Sequence, residues 1–566
     1  TLPRASSSVV VALENLPLIA DLFGFGLDEA CLEAVVDNGP TPEELSVLAS
    51  KIARRAARRG QAPAGEKPNL TEFLCRWLST SGPLSIERIE SITGTGDGLS
   101  EALASLARDS AIIIDQFRED SEDTEVCEAG VLEKFLRMTR RARQTLVRPL
   151  PARSIPLFLA NWQGLLSRGS GLEDLEERLG HLFGYPAEAH AWEDWLIPAR
   201  MATNFQSWLD TLFAETDLLW FGCGKQKVSL ALESELNRFL PAPTDQSAIE
   251  TCARLFKDPL ARYDFFELVA GSGLASDTLA GTLWDLAWKG CVATDNFVAL
   301  RQAIANDFAL PSNASLALLP RGQARARWNR TRPQGGVWTV LHKKTAKGGD
   351  EPISLLEADE SIRDRVRILL DRYGILFREI LQHELPQSSW AQVFRSLRLL
   401  ELSGEIESGQ FFEGIPGLQF ASPLAIHQLR LPLPEDAVWW CNACDPVSPA
   451  GLRLDSLSPV EAGIRIPERR SSTWLSMRGS CLVMVAKKNG RDLELGLEPD
   501  DPSLATHLAL FHDLLSRENT RQRSFLVERI NGVPAASSPW ADAFLSNGFS
   551  RTWKGLELRR RIGAPV

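Results

Sequence analysis

The stretch from Ser361 to Arg430, SIRDRVRILLDRYGILFREILQHELPQSSWAQVFRSLRLLELSGEIESGQFFEGIPGLQFASPLAIHQLR, carries the pattern that decides the fold. Ile362, Val366, Leu369 and Leu370 recur at intervals that line one face of a helix ending at Tyr373-Gly374. A second helical run, Phe377 to Leu385, is stopped by Pro386. A third begins near Ser389, with Trp390, Val393, Phe394, Leu397 and Leu400 inward, Gln392 and Arg395 outward, and Gly404 as its stop. Ile406, then Gln410 to Glu413 and Leu418 to Phe420 across Gly414-Ile415-Pro416-Gly417, read as three short strands whose last two form a hairpin. Helices followed by such a hairpin make a winged helix.

Outward from this stretch the theme returns in weaker copies. Leu70 to Val126 runs from a helix through Phe73 and Trp77 to the strand Ala111–Asp115. Ile155 to Trp220 is a helical array carrying Trp162, Trp192, Trp195 and Trp208 that closes on the strand Asp217–Phe221. Tyr263 to Leu300 runs through Leu279–Trp288 to the strand Cys291–Thr294. The copies differ too much in length for a fixed-period solenoid. After Pro432 apolar and polar residues alternate through Ala437–Trp440, Gly463–Ile466, Thr473–Ser476, Cys481–Ala486 and Leu493–Leu497, spacing that predicts a small barrel. The predicted fold class is α+β: a tandem array of four to five winged-helix modules, then a small β-barrel and a C-terminal α/β segment. The predicted boundaries are N-terminal helices or a connector at 1–69, a winged helix at 70–148, a helical or winged-helix module at 149–245 and a winged helix at 246–310. A basic linker or hairpin at 311–350, a winged helix at 351–431, the barrel at 432–500 and the last segment at 501–566 complete the chain.

Composition narrows the class. With 566 residues, 62 Lys+Arg against 73 Asp+Glu, a net charge of -11 and 44% apolar residues, the chain is neither disordered nor collagen-like. No window approaches the roughly 18 apolar residues of a membrane span. The chain opens at Thr1 without Met or signal-peptide pattern, so it reads as a piece of a larger cytoplasmic polypeptide. Nine scattered cysteines agree with that compartment.

Enzyme signatures are scarce. There is no Gly-x-x-x-x-Gly-Lys-Ser/Thr phosphate loop, no Gly-x-Ser-x-Gly elbow and no His-Glu-x-x-His. Gly94 to Gly98 lacks a lysine and reads as a turn. Cys441 and Cys444 have metal-like spacing but no second pair, and read as ordinary half-buried thiols, so no metal is expected. The basic runs Lys51–Arg59 and Arg137–Arg143 read as solvated helix faces. Between Arg321 and Lys347 stand eight cations without one acid, interleaved with Trp328 and Trp338. Phosphate neutralisation with aromatic stacking suits single-stranded nucleic acid, and a structural hairpin is the competing reading. The candidate DNA-binding residues are Arg325, Arg327, Trp328, Arg330, Arg332, Lys343 and Lys344, joined by Gln392 and Arg395 on the third helix of the clearest module. The other helical tryptophans, Trp77, Trp162, Trp208, Trp284, Trp288 and Trp390, read as core.

The run Arg372-Tyr373-Gly374-Ile-Leu-Phe377-Arg378-Glu379, with Glu401-Leu-Ser-Gly404-Glu405-Ile406 and Gly414-Ile-Pro-Gly417-Leu-Gln419-Phe420-Ala421, closely resembles the C-terminal region of large helicase-related (Lhr) proteins. Phe158-Leu-Ala-Asn-Trp162-Gln163, Leu196-Ile-Pro198-Ala199-Arg200, Leu283-Trp284-Asp-Leu-Ala-Trp288 and Lys554-Gly555-Leu556-Glu557-Leu558-Arg559-Arg560 agree with it. The resemblance covers roughly Leu70 to Arg560. It implies a bacterial superfamily 2 repair helicase whose ATP- and magnesium-binding motor lies upstream, leaving no cofactor in this part. It also implies winged helices that bind DNA, single-stranded or forked, and that assemble with further copies. Winged helices followed by a barrel are similar to AlkZ-type DNA glycosylases as well, which makes excision of uracil or a damaged base the alternative function. The Gln-x-Gln or Gln-x-Asp pair of those enzymes has no counterpart placed here, and no catalytic residue is singled out. A scaffold whose winged helices bind protein is the third possibility.

Overall fold

The computed structural model describes Val47, Lys51 and residues 70–566 apart from 94–97, 119–122, 144–146, 203–204, 241–244, 309–335, 342–354, 386–388, 453, 455–463, 518–521 and 561–566. The chain divides into two compact units, Thr1–Leu146 and Val147–Val566. In the first, helices Leu70–Leu78, Ile86–Thr93 and Leu99–Arg108 pack on three antiparallel strands, β1 (Leu84–Ser85), β2 (Ile112–Asp115) and β3 (Glu125–Glu128), in the order β1-β3-β2. Leu74, Leu78, Ile89, Leu103 and Val126 form its small core, and helix Ala129–Arg143 follows. The connector at 1–69 and the basic run beyond Lys51 lie outside the described residues.

The second unit repeats the pattern three times. β4 (Ala187–Glu188), β5 (Leu218–Gly222) and β6 (Lys227–Leu232) pair as β4-β6-β5, with helix Ile155–Trp162 before them and helix Phe205–Glu215 between β4 and β5. β7 (Tyr263–Asp264), β8 (Val292–Thr294) and β9 (Val337–Val340) pair as β7-β9-β8 around helices Phe265–Ser272 and Ser276–Trp288. β10 (Ile375–Leu376), β11 (Glu407–Gly409) and β12 (Gln419–Ala421) pair as β10-β12-β11 beside helices Leu355–Tyr373 and Trp390–Ser403. The long helix predicted to end at Tyr373-Gly374 and the one stopped by Gly404 are both present; Gly404 sits at φ 83°, a left-handed conformation that glycine adopts without strain.

Two details of the clearest module differ from the pattern-based expectation. The run Phe377–Leu385 is a tight 3-10 turn over Arg378–His383. Residues 410–413 are not a wing strand: Phe412 bridges to Leu150, and the Gln419 side chain accepts from the Phe411 and Phe412 amides at 3.0 and 2.8 Å and donates to the Phe412 carbonyl at 2.7 Å. With their backbone groups satisfied by Leu150 and a side chain, these residues turn inward and β11 takes the wing position instead.

The predicted barrel is a correction. β13 (Val438–Asn442), β14 (Trp474–Arg478), β15 (Cys481–Lys487), β16 (Asp492–Leu495), β18 (Arg529–Ile530) and β19 (Val533–Pro534) form an open six-stranded sheet, and β17 (Ser524–Val527), β20 (Ser550–Thr552) and β21 (Gly555–Arg559) form a separate one. Among the described residues no closed barrel exists, and Ile464–Ile466 are not a strand. The sheet stays open because both faces are already covered. Trp439, Cys441, Leu475 and Met477 face the core of the module at 355–429, while Trp474, Val483, Met484 and Leu493 face the core of the modules before it. A bulge at Ser476/Met477 adjusts which side chains reach each core. Helix Leu504–Ser516 packs Leu504, Leu508, Phe511 and Leu515 against the second of these faces.

Candidate nucleic-acid interface

A winged helix that reads DNA usually offers a polar, basic outer face on its last helix and cations on its wing. In the module at 355–429 that helix starts at Ser389, whose hydroxyl accepts from the Gln392 amide. Gln392 in turn accepts from the Ser389 amide and hydroxyl at 3.2 and 2.9 Å, a reciprocal cap that engages its carboxamide oxygen. Arg395 is exposed, whereas Arg398 is tied to Glu401. The turn and wing from Glu405 to Ala421 hold Glu405, Glu407 and Glu413 and no Lys or Arg. In the preceding module, helix Ser276–Trp288 turns Asp277, Thr278 and Asp285 to solvent, and Lys289 pairs with Asp245 at 2.7 Å. These surfaces repel phosphate more than they attract it.

Arg325, Arg327, Trp328, Arg330, Arg332, Lys343 and Lys344 lie outside the described residues. Trp338, which the sequence interleaved with those cations, lies within the described part and is 1% exposed on the central strand β9, its ring 5.4 Å from that of Trp284. It is core, joined by Trp220, Trp284 and Trp288 in one aromatic cluster, and is closed to any base.

Sequence reasoning missed a buried polar junction that joins the first and third modules of this unit to the sheet. Arg200 and Asp445, both fully buried, meet in a bidentate pair at 3.0 and 2.9 Å. Arg200 also donates to the Gln163 side chain at 2.5 Å, and Gln163 donates to the Arg372 carbonyl at 2.9 Å. Arg372 binds Glu384 and the carbonyls of His181 and Phe183, and the Tyr373 hydroxyl donates to Glu384 at 2.6 Å. Tyr185 donates to the Cys444 carbonyl at 2.5 Å, and Arg469 donates to the same carbonyl at 2.7 Å. Burial pushes the Tyr185 and Tyr373 hydroxyls and the Cys441 thiol upward, so all three stay neutral. Burial, with Arg372 nearby, lowers Arg365 to about 10. Cys441-Asn-Ala-Cys444 is thus the turn that delivers Asp445 to Arg200. The usable signal was Arg200, an arginine inside the otherwise apolar run Leu196–Ala202.

The first two modules of the unit enclose a cavity of about 1070 Å³. Phe213, Leu236, Phe256 and Val340 give it an apolar wall; Asp217, Asn237, Thr294, Asp295 and Asn296 supply polar groups; Lys257 and Arg262 add cations. Asp295 accepts from the Val337 amide at 2.9 Å, and Thr294 accepts from the Trp220 indole at 3.1 Å. Burial raises the Cys252 thiol on its wall to about 11.

Residues 150–233 and 356–440 each match the winged-helix domain of the large helicase-related protein. Both segments are similar to large helicase-related winged-helix domains. The Lhr likeness extends along the chain: it is 28% identical over 526 residues to the "Lhr helicase/ probable uracil glycosylase" of Mycolicibacterium smegmatis, covering 87% of this chain and 34% of that protein. It is 24% identical over 541 residues to the "Lhr helicase/uracil glycosylase" of Escherichia coli, covering 86% and 33%. The chain therefore spans about a third of the length of both Lhr relatives. Among solved structures it is similar to the Streptomyces sahachiroi DNA glycosylase AlkZ, with a TM-score of 0.39 and 14% identity over 68% of this chain and 100% of that one. No helix among the described residues is long and apolar enough to cross a membrane.

Proposed function

We propose that this chain is the DNA-binding and self-assembling region of an ATP-dependent repair helicase of the Lhr type, working beside a motor elsewhere in the polypeptide that holds ATP and magnesium. The observation that carries this reading is the pair of matched winged-helix domains inside a chain-long similarity to proteins named as Lhr helicases. The acidic outer face of helix Ser276–Trp288 and the acidic turn and wing at 405–421 support a role in packing for those surfaces, which leaves DNA contact to the basic segment between Arg321 and Lys347 and to Arg395. Fluorescence anisotropy with single-stranded, duplex and forked oligonucleotides tests it. Replacing Arg325, Arg327, Arg330 and Arg332 by Ala is expected to weaken single-strand binding and to flatten the plot of log affinity against log salt by about 3. An unchanged slope refutes that segment as the contact, and a mass of one chain by light scattering at micromolar protein refutes self-assembly.

A second reading, base excision, is favoured by the cavity between the first two modules. Aromatic and apolar walls, amide and hydroxyl groups, a carboxylate at Asp217 or Asp295 and cations at the rim are the parts an extruded nucleotide requires. Incubation with uracil-containing and alkylated oligonucleotides is expected to yield alkali-labile sites, and Asp217→Asn or Asp295→Asn to abolish them. Clean negatives across several lesions remove this reading while leaving the first intact.

A further inference from the structure

We propose that the hairpin β20–β21 is a second single-strand contact, in which Trp553 stacks on an unpaired base while Lys554 and the arginines along the hairpin take the flanking phosphates. This rests on the DNA-binding reading above but on different residues. Trp553 is 90% exposed, whereas every other described tryptophan is buried or half-buried. It stands at the tip of a two-residue turn, Trp553-Lys554, between Thr552 and Gly555. A rigid indole on a convex tip presents a flat face on which an unpaired base can stack, whatever the base.

The tip is rigidly held. Gly555 has φ 151°, and a Cβ there would lie 2.1 Å from the Val527 carbonyl oxygen, so only glycine lets β21 run close to β17. Leu556 and Leu558 are buried beneath, and the Thr552 hydroxyl donates to the Gly555 carbonyl at 3.1 Å. Lys554 Nζ lies 4.7 Å from the centroid of the indole, so it guards one face of the ring and leaves the other open. From Phe549 to Arg560 the chain carries Arg551, Lys554, Arg559 and Arg560 against the single acid Glu557, a local excess of cations in a protein of net charge -11. Arg551 pairs with Asp542 at 3.3 Å and Arg559 with Glu557 at 2.9 Å. Both are surface pairs on well-exposed arginines, which exchange readily for phosphate. At about 3.3 Å per residue, Lys554 and Arg559 are roughly 16 Å apart along β21, a span of a few nucleotides.

The experiment uses the full chain and two fluorescein-labelled probes, an oligo-dT and an abasic spacer strand of equal length. Wild-type protein is expected to prefer the dT strand. Trp553→Ala should weaken dT binding roughly 5- to 150-fold and erase the preference over the abasic strand, while Trp553→Phe keeps most of both. Arg551→Ala with Lys554→Ala should reduce the salt slope without changing the preference. If Trp553→Ala binds dT as wild type does, the hairpin proposal fails and the DNA-binding reading stands. Should Trp553→Ala change the mass by light scattering and not the affinity, the ring is a contact between copies and the proposal fails equally. If wild type binds neither strand, the DNA-binding reading itself falls.

Discussion

Arg200 and Asp445 lie 245 positions apart and reach zero exposure together, so neither charge has water to fall back on. Two buried ions gain little as a pair relative to a well-packed apolar pair, but removing one strands the other, at roughly 3 to 5 kcal/mol. Arg200→Met and Asp445→Leu should each lower the unfolding free energy from urea titration by that order, and the double variant should recover most of the loss. Additive losses in the double variant would show that the two side chains act separately. His507 sets a pH limit of the same local kind. Its Nδ1 shares a 2.7 Å hydrogen bond with Ser476, and burial, aided by Arg478, lowers its pKa from 6.5 to about 4. The folded state keeps the ring neutral while the unfolded chain takes a proton below about 6.5. His507 therefore adds stability that is fully present above pH 6.5 and is lost as pH falls from about 6.5 to about 4. The screened loss is about 2 kcal/mol. Thermal melts of His507→Asn should start lower at pH 7 and decline less steeply over that interval; parallel curves would rule out His507 as the titrating group.

Among the elements, the best legible were those whose burial has a single direction. The helices ending at Tyr373 and Ser403 each bury one stripe, so spacing and a terminal glycine were sufficient to find them. The barrel misled because its strands bury both faces, one toward each core, and a bulge shifts the alternation partway along β15; period-2 reasoning takes alternation as one wet and one dry face. β9 lies inside the acid-free segment at 321–347, whose cations pointed to nucleic acid as strongly as to a structural hairpin. Gly222 was silent too, since its role is a close approach at the end of β5: an added Cβ would come 1.9 Å from the Ala287 carbonyl oxygen. Gly222→Ala must push β5 from helix Ser276–Trp288, and overpacking of this kind costs about 1 to 3 kcal/mol. A melting temperature unchanged by Gly222→Ala would mean the two modules are not held at that contact.

At the scale of the molecule, the sequence suggested beads on a string, while the unit from Val147 to Val566 is interlocked. One apolar core combines residues 175–341 with 474–558, and the other combines 152–199 with 366–485. The six-stranded sheet is the wall between them, and the junction around Arg200, Arg372 and Arg469 crosses from the helical modules into the turn Cys441–Asp445. The exposed Arg395 and Trp553 lie at the surface of this body, where local sequence says least about folding. Interlocking also makes a prediction that independent modules would not. A chain cut after Arg430 keeps both matched helix-rich segments almost whole, yet it loses Asp445 from Arg200, Cys444 from Tyr185, and one apolar wall of each core. Residues 147–430 should therefore bind a hydrophobic dye, lack a cooperative urea transition and aggregate. Residues 147–566 should unfold in one transition, because each core contains side chains from both ends of the unit. If 147–430 proves monodisperse, with a near-ultraviolet spectrum and a sharp transition of its own, the modules are separable and the sheet is an appendage that the winged helices do not need.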